Sequence, residues 1–107
     1  MKTYHGRRDP DAGAIVTRHR AGDDGPTPLP LRTDLCEHSL DGFGWGHNGP
    51  GPSQLALALL ADYLGDDESA LRLHQDFKRH VVSALRDEWT LTSDKIELAI
   101  ADIEDRP

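Results

Sequence analysis

The spacing of apolar residues changes along this chain, and each change marks an element. Residues 3–7 and 14–19 read as two strands, the second on the β-branched centre of Ala14-Ile15-Val16-Thr17. Asp9-Pro10-Asp11-Ala12-Gly13 between them is turn chemistry, because Pro fixes φ and Gly supplies positive φ. Residues 3–19 are therefore expected to form a β-hairpin. A polar loop follows. Pro28-Leu29-Pro30-Leu31-Arg32 is extended around its prolines, with Leu29 and Leu31 on one face, which confines residues 28–32 to a sheet edge or a polyproline-like segment. Leu35 and Cys36 add to the core.

The period then becomes helical. Leu55-Ala56-Leu57-Ala58-Leu59-Leu60-Ala61 is apolar on nearly every side, which marks a central helix covered by other elements. It is expected over 53–64, opening at Pro52 or Ser53 and closed by Gly65 as a left-handed cap. Asp66, Asp67 and Glu68 suit the start of the next helix, expected over 66–85 on the stripe Ala70, Leu73 or His74, Phe77, Val81 and Leu85. Residues 89–91 read as a short strand. Thr92 or Ser93 caps a last helix over 93–104 with the stripe Ile96, Ala99 or Ile100, and Ile103; the tail beyond Asp102 is expected to fray. The resulting fold class is α+β: a small, mostly antiparallel sheet packed on a buried central helix, with two further helices.

Length adds that residues 1–107 form a single domain. No apolar run reaches the ~18 residues of a membrane span, and the first residues lack the apolar core of a secretory signal. With Cys36 as its single cysteine the chain forms no internal disulfide, which suits a reducing cytoplasm. The net charge of −7 is uneven: residues 1–52 carry six Lys/Arg against seven Asp/Glu, and residues 53–107 carry six against twelve. Nucleic acid and anionic membrane surfaces are therefore disfavoured partners.

The densest chemistry lies at 42–52, Gly42-Phe43-Gly44-Trp45-Gly46-His47-Asn48-Gly49-Pro50-Gly51-Pro52, which holds five of the ten glycines. Gly44-x-Gly46-x-x-Gly49 matches the dinucleotide fingerprint only formally, since no βαβ unit surrounds it. A Walker A loop is excluded by the lack of Gly-Lys-Ser/Thr. Two readings remain. In one, Phe43 and Trp45 plug the core and the glycines permit tight turns. In the other, N–H groups of Gly49, Gly51, Ser53 and Gln54 converge on a small anion, with Trp45, Gly46, His47, Asn48, Arg32 and Tyr4 nearby. The six histidines show no metal-ligand spacing, and no metal or cofactor is expected. Cys36 with His38 or His47, and Ser39 or Ser53 with a histidine, lack the local signature of an activated nucleophile.

Ser39-x-x-Gly42-Phe43-x-Trp45-Gly46-x-x-Gly49-x-Gly51-Pro52-x-Gln54-Leu55-Ala56-Leu57-Ala58-Leu59-Leu60, together with Tyr4-x-Gly6, Pro28-Leu29-Pro30-Leu31-Arg32, Gln75-Asp76-Phe77-Lys78 and Trp89-x-Leu91-Thr92, resembles a family of small proteins without assigned activity. These occur in bacteria, archaea and mobile elements such as phages and plasmids. The resemblance implies an accessory context and brings no catalytic residues with it. The leading expectation is a binding or interaction module, taking an unidentified protein partner or a small anionic ligand at the glycine loop and the helix start. A small hydrolase or transferase using His47, Asn48 and Gln54 is the alternative. A structural homo-oligomer subunit, burying residues 55–61 between copies, is the second.

Overall fold

The computed structural model describes residues 2–105. Two long strands, β1 (Lys2–Asp9) and β2 (Gly13–Arg20), form a hairpin in register from Lys2 opposite Arg20 to Asp9 opposite Gly13. Its turn is held by Asp9, whose Oδ1 accepts the N–H groups of Asp11 and Ala12 at 2.8 and 3.0 Å. A two-residue strand, β3 (Thr27–Pro28), pairs with β2, and β4 (Glu88–Thr92) pairs with the other side of β1. Every pairing is antiparallel, and the order is β3-β2-β1-β4. The helices are α1 (Pro50–Leu64), α2 (Asp67–His80) and α3 (Ser93–Glu104), with a 3-10 turn at Val82–Ala84. The fold is α+β.

Strand alternation puts Tyr4, Gly6, Val16, Trp89 and Leu91 among the buried residues. Polar bonds from Tyr4 and Arg18 to Asp62 join that side of the sheet to α1, and α2 packs against α1 as well. Covered from both directions, α1 is buried without a break from Pro52 to Ala61. This accounts for a helix that is apolar all round within one chain. Gly65 closes it in the left-handed conformation (φ 66°), returning its N–H to Ala61 O. Asp66 caps α2 by accepting from Glu68 N, and Thr92 caps α3 by accepting from Lys95 N. Ser93 Oγ both accepts from Lys2 N and donates to Lys2 O, which fastens the start of β1 to the start of α3.

Three boundaries differ from the sequence-based expectation. The central helix opens at Pro50, with Gly49 as N-cap, and not at Pro52 or Ser53. Prolines at the first and third helical positions do not delay it, because N–H groups there have no helical acceptor to lose. The second helix ends at His80, not at 85. The backbone at Val81 leaves the helical region (φ −120°, ψ −58°), and the 3-10 turn that follows turns the Val82 carbonyl toward Gly46 N at 3.0 Å. The segment 28–32 is not extended throughout. Strand pairing stops at Pro28, Leu29 N still bonds Val16 O at 3.1 Å, and Arg32 is left-handed (φ 58°). The last helix, α3, has the expected bounds; it holds to Glu104 with Ile103 buried, and Arg106 and Pro107 of the tail expected to fray lie outside the described residues.

Candidate functional site

The glycine loop is built by close packing. Trp45 is fully buried and meets Trp89 edge-on, ring centroids 5.6 Å apart at 87°. The Arg8 guanidinium lies 4.9 Å from the Trp45 ring centre and donates from Nη2 to Trp45 O at 3.0 Å, while its Nη1 pairs with Asp87. Neither indole N–H finds an oxygen or nitrogen acceptor among the described residues. The loop then lies directly on the first turn of α1. A Cβ on Gly51 would sit 2.9 Å from Gly44 N, so the two backbones touch where both residues lack side chains. Phe43 is half-buried against the same core.

The residues named from the sequence fall into three places. Gln54 is fully buried and bridges backbone: Oε1 accepts from His38 N (2.8 Å) and Ser39 N (3.0 Å), and Nε2 donates to Leu31 O (2.6 Å). Ser53 is buried too, with its N–H on Gly49 O and its hydroxyl on Gln75 Oε1. Trp45 offers only a carbonyl, already held by Arg8. Gly46, His47, Asn48 and Pro50 are exposed, and among the described residues the His47 and Asn48 side chains make no hydrogen bond. The His47 ring lies against Gly49, and among the described residues no hydrogen bond or ion pair joins it to Cys36, His38 or an acid, the pairing that an enzyme reading calls for. Of the first three helical positions only Gly51 has an N–H, since Pro50 and Pro52 have none. The converging donors of an anion cradle are therefore few.

Tyr4 and Arg32 stand away from the loop. Tyr4 reaches the last turns of α1, where its hydroxyl donates to Asp62 Oδ2 at 2.7 Å. Arg18 Nη1 pairs with Asp62 Oδ1, and Lys2 Nζ donates to the Asp62 carbonyl at 2.6 Å and lies 3.5 Å from Oδ2. Burial pushes the Tyr4 phenol up to about 12. Burial, then the neighbouring Arg20 and Arg18, hold the Lys2 ammonium below its usual value. Arg32 bonds Asp34 from Nε at 3.1 Å and Asp67 from Nη2 at 3.2 Å, so its charge is already matched.

One cluster escaped the sequence reading. His38 Nε2 lies 2.9 Å from His74 Nε2, with ring centroids 5.1 Å apart. His74 is buried, and its Nδ1 is 2.7 Å from Leu71 O. Burial, then His74 and Lys78, lower the His38 pKa. In sequence the two are far apart, and His74 alone is one more position on a helical stripe. Among the described residues no group of three His, Cys, Asp or Glu side chains is placed to hold a metal ion, and no helix is long and apolar enough to cross a membrane.

A family model matches residues 4–102, from the first strand to the last helix. The chain belongs to DUF6166, a family of unknown function. No curated protein and no solved structure matches it. The DUF6166 match takes in the loop, the buried Gln54, and Tyr4, Arg18 and Asp62 of the charged cluster, though not Lys2.

The outer edge of the loop end in this DUF6166 chain is a groove of about 650 Å³ lined by Glu37, His38, Ser39, Leu40, Asp41, Pro50 and Gly51. Leu40 stands 70% exposed at its side, as no core leucine does. Glu37 and Asp41 have no cationic partner among the described residues. The groove is anchored from beneath by Gln54 and His74, so exposed side chains stand on a fixed frame.

Proposed function

We propose that the protein is a binding module that engages a protein partner through the loop end of α1, across the groove of residues 37–41 and 50–51 and the adjoining His47 and Asn48. The supporting observation is the pairing of an exposed apolar side chain, Leu40, with a backbone immobilised by Gln54. A pre-fixed surface loses little entropy on association, and an exposed leucine gains by being covered. Unpaired Glu37 and Asp41 favour a partner segment that carries Lys or Arg beside an apolar residue. A small anion has less to recommend it here, since two prolines remove N–H groups and two carboxylates line the rim. An interface between copies through residues 55–61 loses its motive, because the monomer already covers them.

The test is affinity capture from a lysate of the source organism with three baits: wild type, Leu40→Lys and Leu98→Lys. Leu98 is 71% exposed on α3 and serves as the matched control. A stoichiometric partner held by wild type and Leu98→Lys but lost with Leu40→Lys is the expected result. Equal recovery by all three baits would sink the reading.

A further inference from the structure

We infer that His38 and His74 form a proton-operated latch on the docking edge: with a lone pair left between the rings, the pair holds residues 37–41 against α2; with both rings protonated, it lets them go. The consequence for binding rests on the docking reading above, but the latch itself is a property of the isolated protein.

The tautomers follow from geometry. Two acceptors cannot face each other at 2.7 Å, so His74 Nδ1 carries the hydrogen that Leu71 O accepts. Neutral His74 then has a bare lone pair on Nε2. That lone pair receives the Nε2–H of His38 at 2.9 Å and an amide hydrogen of Gln75 at 3.3 Å. One added proton is accommodated, since His38 in its Nδ1–H tautomer accepts from a charged His74 Nε2–H; two charged rings would set N–H against N–H in a buried place, so double protonation requires the pair to open. His38 can instead take the first proton on Nδ1 and keep the bond, but Lys78 on α2 then faces the new charge. The α1 side chains beneath, Gln54 and Ser53, are uncharged. Glu37 and Asp41 are carboxylates on the groove's own wall. A charged His38 is thus better placed turned outward, toward those carboxylates and water, than inward. The doubly protonated pair and its less protonated forms favour different positions of one short segment, which is the requirement for an imidazole switch.

The amides of His38 and Ser39 report on the latch, since both donate to Gln54 Oε1. Hydrogen exchange of the isolated protein, expressed as protection factors so that intrinsic pH effects cancel, should be compared at about pH 7.5 and about pH 5.5. The expected result is a loss of roughly tenfold or more at these two amides at the lower pH, with Leu57 in α1 unchanged. His38→Gln and His74→Gln should each flatten that difference. His38 is only half-buried, so His38→Gln keeps the test open if His74→Gln does not fold. Equal protection at both pH values in wild type, or an undiminished loss in His38→Gln, would overturn the latch. Because no partner is present, this outcome is read separately from the capture experiment.

Discussion

The central helix is held at its two ends by unlike means. At the N-terminal end the fit is steric: Gly44 meets Gly51 backbone to backbone, and Trp45 fills the space below. At the C-terminal end the fit is electrostatic: Asp62 gathers Lys2, Tyr4 and Arg18 from the two hairpin strands. The steric end uses residues close together in sequence, whereas the electrostatic end draws on three places. The contrast also separates matched groups from unmatched ones. The charged cluster has its groups matched to one another, while the steric end leaves Leu40, His47 and Asn48 uncommitted at the surface.

Removing the charge at the C-terminal end should have the largest effect. Asp62→Ala leaves Arg18 and the Tyr4 phenol without their acceptor and Lys2 without its counter-ion, at a carboxylate site only 8% exposed, and should cost about 3 kcal/mol in chemical denaturation. A cost below about 1 kcal/mol would mean that the cluster behaves as ordinary surface charge. The steric end is probed by Gly51→Ala. Its Cβ would lie 2.9 Å from Gly44 N and 3.1 Å from Gly44 Cα, both backbone atoms, so the loop must lift away at a cost of about 2 kcal/mol. The Trp45 emission should shift as the loop moves. Gly25→Ala, with nothing within 4 Å, is the control and should be nearly silent.

The same contrast explains what could be read from the chain beforehand. The hairpin, the buried helix, its Gly65 cap and the stripes of α2 and α3 rest on local spacing, and local spacing is visible in sequence. Trp45 as a core plug was legible for that reason. Gln54 was not: a glutamine in an apolar helix looks the same whether it faces a ligand or, as here, the backbone of residues 31, 38 and 39. Tyr4 was grouped with the loop because both carried distinctive residues, yet it serves the far end of α1. The end of α2 at His80 depends on Gly46 reaching for the Val82 carbonyl, a contact between segments that no periodicity encodes. The His38–His74 pair is hidden in the same way.

Alkali separates the two ends without a mutation. Tyr4 holds its proton to about pH 12 in the folded chain, whereas an unfolded tyrosine releases it near pH 10. Below about pH 10 both states are protonated and the contribution is whole. As pH rises from about 10 to about 12 the unfolded state gains by ionising and the folded state does not, so stability falls by about 2 kcal/mol. Tyr4→Phe should be weaker by about 1 kcal/mol at neutral pH through loss of the Asp62 bond, and should lack this share of the alkaline decline. A decline of equal depth in Tyr4→Phe would place its origin elsewhere.

Arg32 combines both devices in one residue, and dissecting it gives the smallest effect. Its backbone is left-handed, at φ 58°, which costs a side-chain-bearing residue roughly 1 kcal/mol relative to glycine. Its guanidinium is shared between Asp34 and Asp67, and exposed pairs of this kind return about 0–1 kcal/mol. Arg32→Ala keeps the backbone strain and loses the pairs, so it should be less stable than wild type by up to about 1 kcal/mol. Arg32→Gly loses the same pairs but relieves the strain, and should melt near wild type. The difference between the two variants, about 1 kcal/mol in favour of glycine, isolates the backbone term. If alanine and glycine were equally stable, the left-handed backbone at Arg32 would carry no strain and the charge pairs would be the whole of its contribution. The residue would then belong with Asp62 on the electrostatic side of the molecule.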